Sequence, residues 1–313
     1  MLARTADNLF WLSRYVERAE SLARILDVAL RLATLPSAYA GTSNEWESAI
    51  DIAMCRQLFF ENNEVADQAS VTQFLIDGPN NPSSIRRCIE IARHNARAVR
   101  TAITTEMWEI LNDAWGELQR QKFKSFTGKD LSRFLAFVKE VSLRFDGAAY
   151  RTMLRTDHYW FQRLGMFVER ADNTARLLDV KYHVVLPQTE SVGGGLDYFQ
   201  WSALLRAVSS LNSYHLIYRG GIRPWLVAEF LVRRSEQPRS LIFAYENLNR
   251  VLDLLSEQYG RQGPSQRLVR KTYAGLQNLD GDTLFQSGLH EFLTQFIADN
   301  SQLGLAISEQ YLQ

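Results

Sequence analysis

Apolar residues recur at three- and four-residue intervals along almost the whole chain, and no stretch sustains the alternation of a half-buried strand. Glycine and proline cut this pattern into segments. The first predicted helix covers about residues 5–34 and stops near Pro36. Gly41-Thr42-Ser43-Asn44 reads as a loop, with Ser43 or Asn44 suited to cap a helix over about 45–60. A shorter helix over about 64–76 ends at Asp77-Gly78-Pro79. Pro82 suits the first turn of a long helix reaching about residue 118, and Gly128-Lys129-Asp130 opens another over about 130–152. Beyond it the pattern predicts a helix over about 157–186 stopped by Pro187, and a linker at Gly193-Gly194-Gly195. Two more helices follow, over about 261–280 around Pro264 and about 281–311. The expectation is an all-α helical bundle.

One segment of this pattern occurs twice. Leu12-Ser-Arg-Tyr-Val-Glu17-Arg18-Ala-Glu20-Ser-Leu-Ala-Arg24-Ile-Leu-Asp27-Val28 returns 152 residues later as Leu164-Gly-Met-Phe-Val-Glu169-Arg170-Ala-Asp172-Asn-Thr-Ala-Arg176-Leu-Leu-Asp179-Val180. Ten of the seventeen positions are identical without a gap, too many for a shared amphipathic period alone. Further echoes follow in order. Trp201-Ser-Ala-Leu matches Trp46-Glu-Ser-Ala, Val227 to Val232 matches Val71 to Ile76, and Pro238-Arg-Ser240 matches Pro82-Ser-Ser84. The chain therefore reads as two tandem copies of a roughly five-helix unit, residues 1–152 and 153–313. The two copies are expected to pair about a pseudo-twofold axis, with the two Glu-Arg helices near it, as one compact domain.

On a helix of about 100° per residue, Glu17, Glu20, Arg24, Asp27 and Arg31 form one charged wedge. Glu169, Asp172, Arg176, Asp179 and His183 repeat it. Leu12, Tyr15, Val16, Ala19, Ala23, Leu26 and Leu30 lie opposite as a core stripe. Glu20 with Arg24 and Asp27 with Arg31 are i,i+4 pairs in the favoured order, as on a solvated face. Phe10 and Val28 beside Glu17 argue instead for a covered face. Arg18 stands about 100° from Glu17 and must reach a neighbouring helix. A part-buried arginine needs a carboxylate, for which Glu169 or Asp172 is available, so Arg18 and Arg170 are the expected structural ion pairs. The wedge is the candidate ligand site, with Glu17 and Glu169 as candidate bases.

Charge narrows the partners. Lys+Arg and Asp+Glu are both 35, which disfavours a general binder of nucleic acid or anionic membrane. Arginine far outnumbers lysine, which suits bidentate carboxylate pairing. Two separated cysteines, Cys55 and Cys88, form no metal or redox pattern. With no apolar run of membrane length and a charged N-terminal stretch, a cytoplasmic protein is expected. None of the five histidines has a glutamate three residues before it, so a di-iron bundle site and any other metal or cofactor are not expected. Phosphate-loop and nucleophile-elbow patterns are absent. His94 lies among Arg86, Arg87, Arg93, Arg97 and Arg100, which read as a solvated basic face or an anion site. Arg219, in Tyr218-Arg-Gly-Gly-Ile-Arg223-Pro224 before a helix start, is a further anion-binding candidate.

These residues together resemble the α-E family, also called DUF403, a bacterial all-α domain with a conserved Glu-Arg motif. The likeness spans nearly the whole chain. It rests on Tyr15-Val-Glu17-Arg18-Ala, Phe167-Val-Glu169-Arg170-Ala-Asp172, Arg176-Leu-Leu-Asp179-Val, Asp157-His-Tyr-Trp160, Tyr218-Arg-Gly220, Ala228-Glu-Phe-Leu231 and Pro238-Arg-Ser240. Two positions depart from the pattern: His183, where the first copy has Arg31, and Arg233-Arg234, where an acidic residue is expected. The resemblance implies a gene cluster with a circularly permuted ATP-grasp protein and often a transglutaminase-like protease, in a system that forms or processes amide bonds. ATP binding would then belong to the partner. Three readings follow: a helical partner or substrate-binding component of an amide ligase, an enzyme acting on an amide or peptide through its Glu/Arg groups, and a scaffold whose Glu-Arg pairs are structural.

Overall fold

Two long helices, α1 (Ala3–Ala33) and α8 (Asp157–His183), pack against each other along the middle of the molecule and carry the repeated segment. In the computed structural model of the chain, residues 1–33, 45–121, 123, 126, 128–183, 195–279 and 288–313 are described, apart from the side chains of 180–183 and 195–197. Around α1 come α2 (Glu45–Ile52), α3 (Arg56–Phe60), α4 (Gln68–Asp77), α5 (Ile85–Ala98), α6 (Thr105–Arg120) and α7 (Gly128–Thr152). After α8 come α9 (Gly195–Ala207), α10 (Leu211–Ile217), α11 (Pro224–Arg233), α12 (Leu241–Tyr259), α13 (Pro264–Asn278) and α14 (Leu289–Ile307), which ends in a π turn over Ser308–Leu312. The described residues contain no strand, so the fold is all-α. No described helix is long and apolar enough to cross a membrane.

The expectation of about five helices per half is corrected: each half shows seven among the described residues. The helix expected over 45–60 breaks at Met54, which adopts φ 54°. Its counterpart in the second half, Ser209, adopts φ 55° between α9 and α10. A positive φ costs energy for a non-glycine residue and leaves no mark in hydrophobic period. The long helix expected over 82–118 divides into α5 and α6 through a turn in which the Ala102 amide donates to the Val99 carbonyl at 2.8 Å. That turn folds α6 back against α5 and buries Ile103 and Met107. Pro82 lies before α5 rather than in its first turn. Ser84 is the cap, accepting from the Arg87 amide, as Ser240 accepts from the Phe243 amide at the start of α12. Asp67 and Ser70 form a reciprocal cap that sets the start of α4 later than the pattern predicted. The capping expectation at Ser43 or Asn44 lies outside the described residues.

Packing follows the same order in both halves. Helices α5 and α7 lie on α1, and α12 and α14 lie on α8. Helix α9 reaches across to α1, while α2 reaches across to α8. Of the core stripe expected on α1, Leu12, Val16, Ala19, Ala23 and Leu26 are buried together with Leu9, while Tyr15 and Leu30 are part-buried against the core. Each large apolar side chain placed there contributes about 1.5–3 kcal/mol. A close crossing of α1 and α8 occurs at Gly165, where an added methyl would overlap the Phe10 carbonyl oxygen. This near approach sets the reach of the charged side chains that follow on both helices.

Candidate functional site

One turn beyond that crossing, the two Glu-Arg pairs exchange partners. The Glu17 carboxylate accepts from Nε and Nη2 of Arg170, both at 2.9 Å. Glu169 accepts from Nε of Arg18 at 2.6 Å and from Nη2 at 3.1 Å. Each arginine is thus held bidentately by the carboxylate of the opposite helix, the strongest geometry for this pair. Glu17 and Glu169 are both 2% exposed. A charge so deeply buried is tolerable only when paired and hydrogen-bonded.

Two chambers flank this exchange. In the first, Arg239 enters from the turn before α12. It donates to Glu17 at 3.3 Å and to Glu20 at 2.6 Å. Glu20 also accepts from Arg24 (2.8 and 2.5 Å) and from the Ser142 hydroxyl on α7 (2.7 Å). Arg24 then donates to the Ala207 carbonyl and, at 3.0 Å, to the Ser209 hydroxyl. Burial opposes the charge on Glu20, but Arg239, Arg24 and Arg170 outweigh it and hold the carboxyl down at about 2.

In the second chamber the residue before the cap serine is Ser83, not arginine. Arg14 of α1 supplies the extra guanidinium to Glu169 at 2.8 Å. Against burial, Arg18 and Arg14 hold that carboxyl at about 2 as well. Asp172 has a different fate. Arg176 pairs with it at 2.6 and 3.2 Å, and no other hydrogen bond to it is formed among the described residues. Burial pushes its carboxyl above the ordinary value although Arg176 opposes this. Beside it a cavity of about 230 Å3 opens, whose lining includes Arg18, Ser21, Ser83, Glu169, Asp172, Asn173, Arg176 and the chain from Ile52 to Met54 at the end of α2.

A family model described as a predicted alpha-helical domain with a conserved ER motif matches residues 1–312. The chain belongs to the Alpha-E family. Curated relatives include uncharacterized proteins of Mycobacterium bovis and Mycobacterium tuberculosis, each 23% identical over 319 residues. The match covers 94% of this chain and 35% of either relative, so the Alpha-E chain spans about a third of their length. No solved structure matches it.

The Glu-Arg motif of this Alpha-E protein therefore sits inside the packing between α1 and α8. A solvated face, the reading that i,i+4 pairing allows, does not describe Glu17, Glu20 or Arg24, which are buried because α7, α8, α9 and the turn before α12 cover them. The far end of the wedge does reach the surface. Arg31 is half exposed and pairs with Asp27 at 3.3 Å, and Lys139 adds a bond to Asp27 at 3.0 Å. Asp179 pairs with His290 on α14 at 2.7 Å. The side chain of His183 lies outside the described residues. Arg219 is exposed on the loop before α11 and does not line the cavity. Arginines of the α5 face lie over tryptophans of α6, Arg86 over Trp115 and both Arg93 and Arg100 over Trp108. A larger groove of about 940 Å3 between α6 and α7 touches none of the Glu-Arg residues. No group of metal-ligating side chains is assembled among the described residues.

Sequence reasoning passed over Arg14, Ser142, Asn173 and the contrast of Arg239 with Ser83. The last had a signal, since Pro82-Ser-Ser84 and Pro238-Arg-Ser240 align and differ at that one residue. Chemically, Glu17 and Glu169 are acceptors in closed ion pairs. Every oxygen they carry already accepts from a guanidinium, and Glu169, its carboxyl held at about 2, takes up a proton only far below neutral pH.

Proposed function

We propose that this Alpha-E protein is a helical binding component of a bacterial ATP-grasp amide-ligase system, acting as partner or substrate carrier rather than as the ATP-using enzyme. The observation that carries this reading is the reciprocal bonding of Glu17 with Arg170 and Glu169 with Arg18. It spends Glu17 and Glu169 on joining the two long helices, with every oxygen of both already accepting from a guanidinium. The resemblance noted in the sequence supplies the ligase and the protease as partners. The curated relatives, which carry further chain beyond the matched third, fit a domain that works joined to other parts.

Co-purification tests this. The chain and the circularly permuted ATP-grasp protein from the same gene cluster are expected to elute as one complex, with ATP bound by the ligase alone. Separate elution at micromolar concentrations, with both proteins folded, contradicts the reading. The enzyme reading keeps one clear test of its own. If Glu17→Gln and Glu169→Gln each abolish product formation while melting and partner binding are unchanged, the motif is catalytic.

A further inference from the structure

The cavity beside Asp172 is best understood from the chamber that lacks one. Arg239 and Ser83 each immediately precede the cap serine of a helix, Ser240 of α12 and Ser84 of α5. Arg239 fills its chamber with a guanidinium bonded to Glu17 and Glu20. Ser83 leaves about 230 Å3 open.

The lining of that space carries donors without hydrogen-bond partners among the described residues. The Asn173 side-chain amide nitrogen is buried with no hydrogen-bond partner. Such a group costs about 1–3 kcal/mol unless something meets it. Arg18 spends Nε and Nη2 on Glu169, and Arg176 spends Nε and Nη2 on Asp172. The remaining Nη1 of each has no hydrogen bond among the described residues. In the first chamber the same nitrogen of Arg24 is satisfied by the Ala207 carbonyl and the Ser209 hydroxyl. Met54, the left-handed residue at the matching place, offers no hydroxyl. Asp172 supplies two acceptor oxygens, and Arg176 already occupies both. Three guanidiniums, on Arg14, Arg18 and Arg176, face two carboxylates, on Glu169 and Asp172. A ligand that accepts hydrogen bonds and carries negative charge satisfies both imbalances.

We infer that the cavity bounded by Arg18, Ser83, Asn173 and Arg176 binds a carboxylate group, with the two guanidiniums and the Asn173 amide as donors. The space is below the about 300–1,000 Å3 usual for drug-sized ligands. It therefore takes a small molecule of amino-acid size or the C-terminal residue of a peptide. Both are substrates or products that an amide ligase handles. The inference deepens the binding-component reading and rests on it for the ligand's source, while the site itself rests on the cavity alone.

Isothermal titration calorimetry of the full chain at neutral pH tests it with four probes: N-acetyl-L-alanine, L-alanine, L-alanyl-L-alanine and L-alaninamide. The three carboxylates are expected to bind with one-to-one stoichiometry, and the amide at least tenfold more weakly. Tighter binding of the dipeptide points to a peptide terminus, and tighter binding of alanine to a free amino acid. Ser83→Arg, which places a guanidinium where the first chamber has one, is expected to weaken binding at least tenfold with melting unchanged or raised. Asn173→Ala is expected to weaken it several-fold, and decides the matter if Ser83→Arg does not fold. Absence of saturable heat with every probe, equal binding of the amide, or unchanged affinity in both variants overturns the site. Partner association is read separately, so carboxylate binding without complex formation removes the ligase reading and leaves the site standing.

Discussion

The chamber over Glu17 and Glu20 and the chamber over Glu169 and Asp172 are built from the same repeated segment, yet only one is filled. Three of the differences between them strip the second chamber. Arg239 stands where the other has Ser83, Glu20 where the other has Asp172, and Ser209 where the other has Met54. Each change removes a polar contact or a methylene from the second chamber. Glu20 gains bonds from Arg24, Arg239 and Ser142, whereas among the described residues Asp172 keeps only Arg176. The lesson is that the Glu-Arg motif itself is the shared structural part. The residues around it decide whether the adjoining space is closed or open.

The largest expected effect is on the shared part. Glu17→Ala leaves Arg170 without its bidentate carboxylate in a buried setting and Arg239 with Glu20 alone, which costs about 3–5 kcal/mol. Glu169→Ala should cost less, because its arginines are the more exposed: 18% and 24% for Arg14 and Arg18, against 12% and 15% for Arg170 and Arg239. Urea unfolding of both variants checks the order, and a reversal breaks the comparison.

Next come the two residues that distinguish the chambers. Arg239→Ser opens the first chamber and should cost about 2–3 kcal/mol, since Arg24 and Arg170 remain. Ser83→Arg should lose nothing and gain up to about 1 kcal/mol by meeting Asp172. Melting temperatures moving in opposite directions support the contrast; a loss from both folded variants denies it.

Acid should act on the carboxylates in opposite senses. Glu20 and Glu169 are held at about 2, below the ordinary value of 4.5. Their contribution is present above the unfolded value and is lost as pH falls from there through about 2. Asp172 is raised above 3.8, so its contribution is present below that value and is lost as pH rises through the folded one. Unfolding free energy measured between pH 6 and pH 3 should therefore fall by less in Glu20→Gln than in the unaltered chain. An unchanged slope contradicts the burial and pairing of Glu20. The smallest effect belongs to the exposed end of the wedge, where Arg31→Ala should shift stability by no more than about 0.5 kcal/mol.

Much of this was legible in the chain. Adjacent Glu17 and Arg18 cannot share a helix face, so Arg18 had to seek a partner elsewhere, and the repeat pointed to α8. Glu169 is the partner it takes. Helical period gave the all-α class, and proline and glycine marked most boundaries. The breaks at Met54 and after Ala98 were hidden because neither uses proline or glycine, and only tertiary packing holds them. Burial of the wedge was hidden for the same reason. An i,i+4 pair such as Glu20 and Arg24 has one spacing whether water or another helix covers it. The lock formed by Arg239 spans more than two hundred residues of sequence, and no local pattern encodes such a contact.

Direct titration of the side-chain carboxyls by carbon-13 NMR, from pH 7 down to pH 4, tests the difference between the chambers without altering either. Glu20 and Glu169 are expected to stay ionised throughout, while Asp172 begins to take up its proton within that range. Asp172 remaining ionised alongside Glu20, or Glu20 protonating first, would contradict a filled first chamber and an open second one.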